Sequence, residues 1–185
     1  NPFFEGKDGN ELKDKLLSLI PFSEPYYERI ATQYFGILMY ALKNKGDTFT
    51  IQTIIDIMQN ETKFDELLDH PNNRAYKATA HMGLRSLNKK QLEDATSIAM
   101  DLFDLINSPF GNKLTQEPSE LNLFDALSNH SSFVYCGINA NRLGKSAEMM
   151  GRVILADIKT LASKIEDAVP VEKRQPIFVV VDEFS

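Results

Sequence analysis

The sequence has little of what would tie it to the cell exterior or to a membrane. Cys136 is its only cysteine, so no disulfide can form within the chain, and a cytoplasmic compartment is the default expectation. No apolar run approaches the roughly 20 residues that a membrane-spanning helix needs. The opening residues, Asn-Pro-Phe-Phe-Glu, lack the basic and apolar regions of a signal peptide. A start without Met and a stop within a strand pattern predict a fragment of a longer protein.

The charge balance excludes a surface that is uniformly suited to coating nucleic acid. The 185 residues carry a formal net charge of −6, and 43% of them are hydrophobic, which is enough for a sizeable core without metal or disulfide support. The three histidines, His70, His81 and His130, lack metal-ligand spacing with any Cys or Asp partner. We therefore expect structural roles for them, and a local basic patch stays open.

Apolar residues recur at three- and four-residue steps through most of the first 106 positions, as on the buried face of amphipathic helices. This pattern predicts helices over 10–20, from Ser23 to about Leu42, over Ile51–Met58, from Thr62 to Leu68, over Arg74–Ser86 and from Asn88 through Ile106. We expect the apolar stripes to form the core of a helical bundle and not a cofactor site.

The pattern changes after Ser108, where Ser-Pro-Phe-Gly opens a loop-like stretch that reaches Glu120. Beyond it we predict a short helix, a strand, a long helix and a second strand, over Leu123–Leu127, Ser132–Ile138, Lys145–Ile165 and Ile177–Val181. Strand, helix and strand in this order predict a right-handed crossover between two parallel strands. The predicted fold class is mainly α: a helical all-α domain over residues 1–118, then a partial α/β segment over 119–185.

The last strand leads into a pair of carboxylates. Ligands of open α/β sheets bind at the carboxyl ends of the strands, and a buried apolar strand that ends in Asp-Glu is typical of the Walker B motif. In that interpretation Asp182 holds Mg²⁺ through water, and Glu183 orients or deprotonates the attacking water. The alternative is a buried strand that merely surfaces into a polar turn.

A second pattern imitates a phosphate-binding loop. Residues 139–146 follow a predicted strand and end in Gly-Lys-Ser, but Asn139 stands where the first glycine of such a loop belongs. We therefore interpret the segment as a helix start with a solvated lysine.

One stretch of the acidic chain is basic. Residues 71–92 contain no Asp or Glu, and the positions expected to contact DNA phosphates there are Arg74, Lys77, His81, Arg85, Lys89 and Lys90. The first four recur at three- and four-residue steps, so they can share one side of a helix. A solvated helix face is the alternative.

The order of these features resembles a known family. Asn1-Pro2-Phe3, a helical insert, a unit with Gly151-Arg152 and Ala156-Asp157, and a closing Val-Val-Val-Asp-Glu-Phe together look like the TraD/TraG coupling-protein ATPases of conjugation and type IV secretion. The resemblance implies that about 5–115 is the family's all-α domain, inserted in a RecA-like motor domain whose Walker B part ends this chain.

Function follows from the resemblance as an expectation. The intact protein would be a membrane-anchored homo-hexamer at the cytoplasmic face of the bacterial inner membrane. It would use ATP and Mg²⁺ to move single-stranded DNA, with attached relaxase or effector protein, toward other type IV secretion components. Its Walker A loop would lie upstream of Asn1, so this chain alone should bind no cofactor and hydrolyse no ATP.

Two other interpretations stay open. One is a HerA/FtsK-like DNA-pumping ATPase, which upstream sequence would distinguish by the transmembrane helices that the coupling family predicts. The other is a non-catalytic helical adaptor that binds protein, in which the Asp182-Glu183 strand is only structural.

Overall fold

The computed structural model describes residues 8–115, 123–128, 133–174 and 176–181, and within them the fold is mainly helical, as predicted. Ten α-helices are present there, with short 3-10 helices at Pro71–Asn73 and Val171–Lys173. The α-helices are α1 (Gly9–Ser18), α2 (Pro25–Lys45), α3 (Ile51–Met58), α4 (Glu61–Asp69), α5 (Lys77–Arg85), α6 (Lys89–Ile106), α7 (Gly111–Thr115), α8 (Leu123–Ser128), α9 (Ala140–Leu143) and α10 (Lys145–Ala168).

The core of the bundle forms around α2, which packs against α1, α4, α5 and α6. Phe35, Leu38 and Met39 of α2 are fully buried, and they recur on the helix face that the spacing of apolar residues predicts. The largest fully buried side chains contributed by the other helices are Leu12, Leu16, Ile51, Ile54, Ile55, Leu68 and Leu102.

Side-chain caps fix several helix ends. Thr50 and Thr53 form a reciprocal capping box at the start of α3, and Asn88 and Gln91 do the same for α6. At the C-terminus of α2, Gly46 adopts φ 89°, a left-handed conformation that glycine allows without steric penalty. These bounds agree with the sequence pattern because the capping residues stand at the positions where the helices begin and end.

The long helix α10 packs against α1 and α6, although it lies beyond the domain boundary predicted near residue 118. Met149 and Val153 of α10 belong to the same buried core as the bundle. Lys15 of α1, almost fully buried, forms an ion pair with Asp157 of α10. The boundary itself stays a prediction.

The two predicted parallel strands are not seen in the described residues, which corrects the finer part of the predicted fold class. Residues 133–138 and 176–181 are neither helical nor paired in a ladder. The physical reason is that a strand satisfies its backbone hydrogen bonds only through a neighbouring strand, and the described part of the chain places none beside either segment.

Two local predictions also need correction. The loop expected over 108–120 contains α7, whose buried Leu114 anchors it to the core. The helix expected to start at Arg74 starts instead at Lys77, because the 3-10 helix and a turn come first.

Candidate nucleic-acid interface

The six predicted contact residues follow one another from the turn after the 3-10 helix, along α5, into the first turn of α6. We call this set the basic surface, and its members are Arg74, Lys77, His81, Arg85, Lys89 and Lys90. Arg74, Arg85, Lys89 and Lys90 are exposed, whereas Lys77 and His81 are half-buried. Four of the six are therefore open to solvent, and their contact with DNA stays a prediction.

The turn that carries Arg74 is held by a buried asparagine. Asn73 is fully buried, and its Nδ2 donates hydrogen bonds of 2.9 Å to the carbonyl oxygens of Ala41 and Leu67. The neighbouring Asn72 Nδ2 donates to the carbonyl oxygen of Lys45 at 3.1 Å. Because these bonds reach both α2 and the end of α4, they fix the backbone from which Arg74 projects.

Helix α5 lies close against α2. Ala80 is fully buried, and a Cβ atom added at Gly83 would come within 2.8 Å of Ile37 Cδ1, so glycine permits the short approach. Gln33 of α2 donates from Nε2 to the carbonyl oxygen of Gly83 at 2.9 Å and to Ser86 Oγ at 2.5 Å. These contacts fix the face of α5 that packs on α2, and Arg85 stays exposed to solvent.

Three of the cations stand where helix electrostatics disfavour them. Lys77 begins α5, and Lys89 and Lys90 begin α6; neither helix has an acidic residue in its first turn. The N-terminus of a helix carries partial positive charge, so lysine there is unfavourable by a few tenths of a kcal/mol. The helix dipole therefore does not favour lysine at these three positions. Arg85, at the end of α5, suits the helix dipole.

Only part of the basic charge is neutralised by neighbouring acids. Lys77 forms an ion pair with Asp69, and Lys89 Nζ lies 3.8 Å from Glu93 Oε1. Arg74, Arg85 and Lys90 have no acidic partner among the described residues. These three positive charges are free to meet phosphate groups.

A tyrosine pair borders the basic surface at the start of α5. The rings of Tyr40 and Tyr76 have centroids 4.5 Å apart and are tilted by 41°. Burial, and secondarily the charge of Tyr40 when ionised, raise the pKa of Tyr76. Sequence analysis missed this pair because Tyr40 lies 36 positions upstream, and only the packing of α5 on α2 brings the rings together.

The predicted carboxylates Asp182 and Glu183 lie outside the described residues, so the Walker B interpretation stays a prediction. Residues 176–181, which precede them, belong to no helix or ladder, and Phe178 and Val180 are exposed. Among the residues that the structure describes, no group of three or more His, Cys, Asp and Glu could hold a metal ion.

The segment that imitates a phosphate loop is a helix start. Asn139 Oδ1 accepts a hydrogen bond of 3.0 Å from the backbone N–H of Arg142 and so caps α9. Gly144 has φ 50° and ψ −126° between α9 and α10, so this glycine serves the change of chain direction.

The groove between α1 and α10 has a volume of about 550 Å³ and mixed charge. Glu11 and Asp14 line the α1 side, and Arg152 and Lys159 line the α10 side. Arg152 is already engaged, because its Nη2 donates to Glu148 Oε1 at 2.7 Å.

No protein-family model, curated protein or solved structure matches the chain. The resemblance to coupling proteins therefore rests on the sequence pattern alone. None of the helices within the described ranges combines the length and apolar character needed to cross a bilayer.

Proposed function

We propose that this chain is the substrate-recognising helical part of an ATP-driven coupling protein of the TraD/TraG kind, together with part of its motor. In the intact protein it recruits DNA, with attached relaxase or effector protein, to a conjugative or type IV secretion channel. The observation that carries the proposal is the basic surface, in which three cations have no acidic partner within the described ranges, on a chain of net charge −6.

Binding by this surface is electrostatic. Arg74, Arg85 and Lys90 neutralise phosphates and release their counterions, which makes affinity strongly dependent on salt. The fixed turn at Asn73 and the close packing of α5 on α2 support the proposal, because they hold the cations in place before DNA arrives.

The motor part of the proposal includes the finer fold prediction. Residues 132–138 and 177–181 become parallel strands when a RecA-like sheet supplies neighbours, which would also cover Phe133 and Phe178. Asp182 then holds Mg²⁺ through water, and Glu183 positions the water that attacks ATP. The intact protein is a homo-hexamer anchored at the cytoplasmic face of the inner membrane, where it meets other secretion components.

Anisotropy of a labelled single-stranded oligonucleotide, titrated from 50 to 200 mM salt, tests the DNA-binding proposal. Each phosphate neutralised on a single strand contributes about −0.7 to the slope of log K against log salt, so three cations contribute roughly −2. The R74A/R85A/K90A variant should lose that contribution and most of the affinity. The matched control, R142A/K159A/K173A, removes the same charge from exposed positions elsewhere and should bind as the parent does. Equal losses in both variants, or binding that ignores salt, contradict the proposal.

Glu183→Gln in the intact protein tests the motor proposal separately. A Walker B glutamate is needed for hydrolysis, so ATPase activity and DNA transfer should both be lost while ATP binding persists. A protein-binding adaptor is the second candidate, favoured by the absence of strands in the described residues. It would keep its function after this substitution.

A further inference from the structure

The tyrosine pair Tyr40–Tyr76 has the form of a stacking platform. We infer that these two rings bind the unpaired bases of a single-stranded nucleic acid; this inference rests on the proposed function and adds a site to it. Tyr40 is 42% exposed, and Tyr76 is half-buried against the core, so one ring offers its surface and the other supports it.

The backbone that carries each ring is held in place before any ligand binds. A Cβ atom added at Gly9 would lie 2.6 Å from Tyr40 Cα, so the start of α1 packs directly on the backbone of Tyr40. Tyr76 follows the turn fixed by Asn73, and its backbone N–H donates to the carbonyl oxygen of Asn73 at 2.9 Å. A platform that is already ordered loses little conformational entropy on binding.

The cations beside the rings select the class of ligand. Arg74 and Lys77 flank Tyr76 along the chain; Lys77 is paired with Asp69, whereas Arg74 has no acidic partner in the described part of the molecule. Aromatic rings next to a basic track are the combination that binds single strands, since every base has a face on which a ring can stack. In a duplex those faces are already covered by neighbouring bases. Tyrosine and arginine also serve protein interfaces, but the absence of any acid over 71–92 favours a polyanion.

The test compares a labelled dT12 single strand with a 12-base-pair duplex by anisotropy across a salt series. Tyr40→Leu and Tyr76→Leu should each weaken dT12 binding roughly 5- to 150-fold at every salt concentration. The salt slope should stay unchanged because no charge is removed. Duplex affinity should also stay unchanged. Tyr40→Phe and Tyr76→Phe keep the rings and should bind dT12 as the parent does. Phe103→Leu, at a ring that is 43% exposed elsewhere on α6, is the matched control.

The outcomes separate this inference from the proposed function. If both leucine variants bind dT12 as tightly as the parent while R74A/R85A/K90A does not, the stacking site is wrong and the basic surface survives. Equal weakening of dT12 and duplex also overturns the stacking site. If the parent binds neither form at 50 mM salt, both proposals of nucleic-acid contact fail, and the tyrosine pair becomes a surface for protein. Circular dichroism of each variant, with the phenylalanine forms as folded references, separates lost stacking from lost structure.

Discussion

The helical bundle differs from residues 133–138 and 176–181, which belong to no helix or ladder, in how its apolar residues are covered. In the bundle Phe35 is fully buried, whereas Phe133 and Phe178 of the two segments are 88% and 86% exposed. A helix makes its hydrogen bonds within itself, so an amphipathic pattern needs only a second helix to cover it. A strand needs a neighbour for its backbone as well as its side chains. The described residues therefore cover the apolar pattern of the bundle and leave these two phenylalanines in solvent.

Matched phenylalanine substitutions should give the largest contrast between the two regions. Phe35→Ala leaves a cavity in the core, and we expect the free energy of unfolding to fall by about 3–5 kcal/mol. Phe178→Ala should change it by less than about 0.5 kcal/mol, because the ring is already in solvent. Urea unfolding followed by circular dichroism measures both values. A loss above about 1 kcal/mol for Phe178→Ala would mean that the segment is covered in solution.

The ion pair between α1 and α10 tests how firmly the second half of the chain is joined to the bundle. The Lys15 side chain is only 3% exposed, so Asp157→Ala leaves its positive charge buried without this partner. We expect the unfolding free energy to fall by about 3 kcal/mol. The double variant K15M/D157L should recover most of it, since the buried charge of Lys15 is removed together with Asp157. Lys63→Ala breaks the exposed pair with Asp56 and should lose less than about 1 kcal/mol. If Asp157→Ala and Lys63→Ala lose the same amount, α10 is not held by this pair.

Alkaline pH should weaken the bundle through a buried phenol. Burial raises the pKa of Tyr34 to about 12, against 10 in the unfolded chain, so the folded state retains its proton longer. This contribution is fully present below pH 10 and is lost as the pH rises from 10 to 12. Over that window we expect the parent to lose roughly 2 kcal/mol more unfolding free energy than Tyr34→Phe, which has no phenol to ionise. Urea titrations measure the unfolding free energy of both proteins, and the difference between them is free of the contribution of the lysines, which both proteins share. If the parent and Tyr34→Phe lose the same unfolding free energy over this pH range, the Tyr34 hydroxyl is exposed to water in the folded state.

Two glycines around α10 should give the smallest effects, with opposite signs. Gly144 has a positive φ, so Gly144→Ala should lower the unfolding free energy by about 1 kcal/mol. Gly151 is helical with open space around a Cβ atom, so Gly151→Ala should raise it by roughly 0.5–1 kcal/mol. Thermal unfolding of the pair checks both directions. A loss for Gly151→Ala would show that another group packs closely on that position.

The agreement between sequence and structure follows the same division. Helix starts at Ile51 and Lys89 could be predicted because Thr50 and Asn88 are local capping signals. The late start of α5 could not, since it depends on long-range bonds from Asn73 to α2 and α4. The predicted strands are not seen in the described residues because an apolar run specifies no hydrogen-bonding neighbour for its backbone.

The candidate site shows the same limit. The absence of acids over 71–92 is readable from the sequence, and most of its cations are indeed exposed. The sequence does not reveal which of them are neutralised, because Asp69 reaches Lys77 only after α4 and α5 have packed. The pairing of Tyr40 with Tyr76 depends on the same tertiary contacts.

Because Lys15 is buried, chemical labelling of its amine can report how often α10 separates from α1. An amine-reactive label should modify Lys89, whose side chain is 92% exposed, almost at once. It should reach Lys15 only in molecules whose α10 has lifted away from α1. The ratio of the two labelling rates, read by mass spectrometry, therefore gives the fraction of time that the joint is open. The same labelling ratio, measured after oligonucleotide or a partner protein is added, would show whether a ligand on the basic surface changes how often α10 separates from α1.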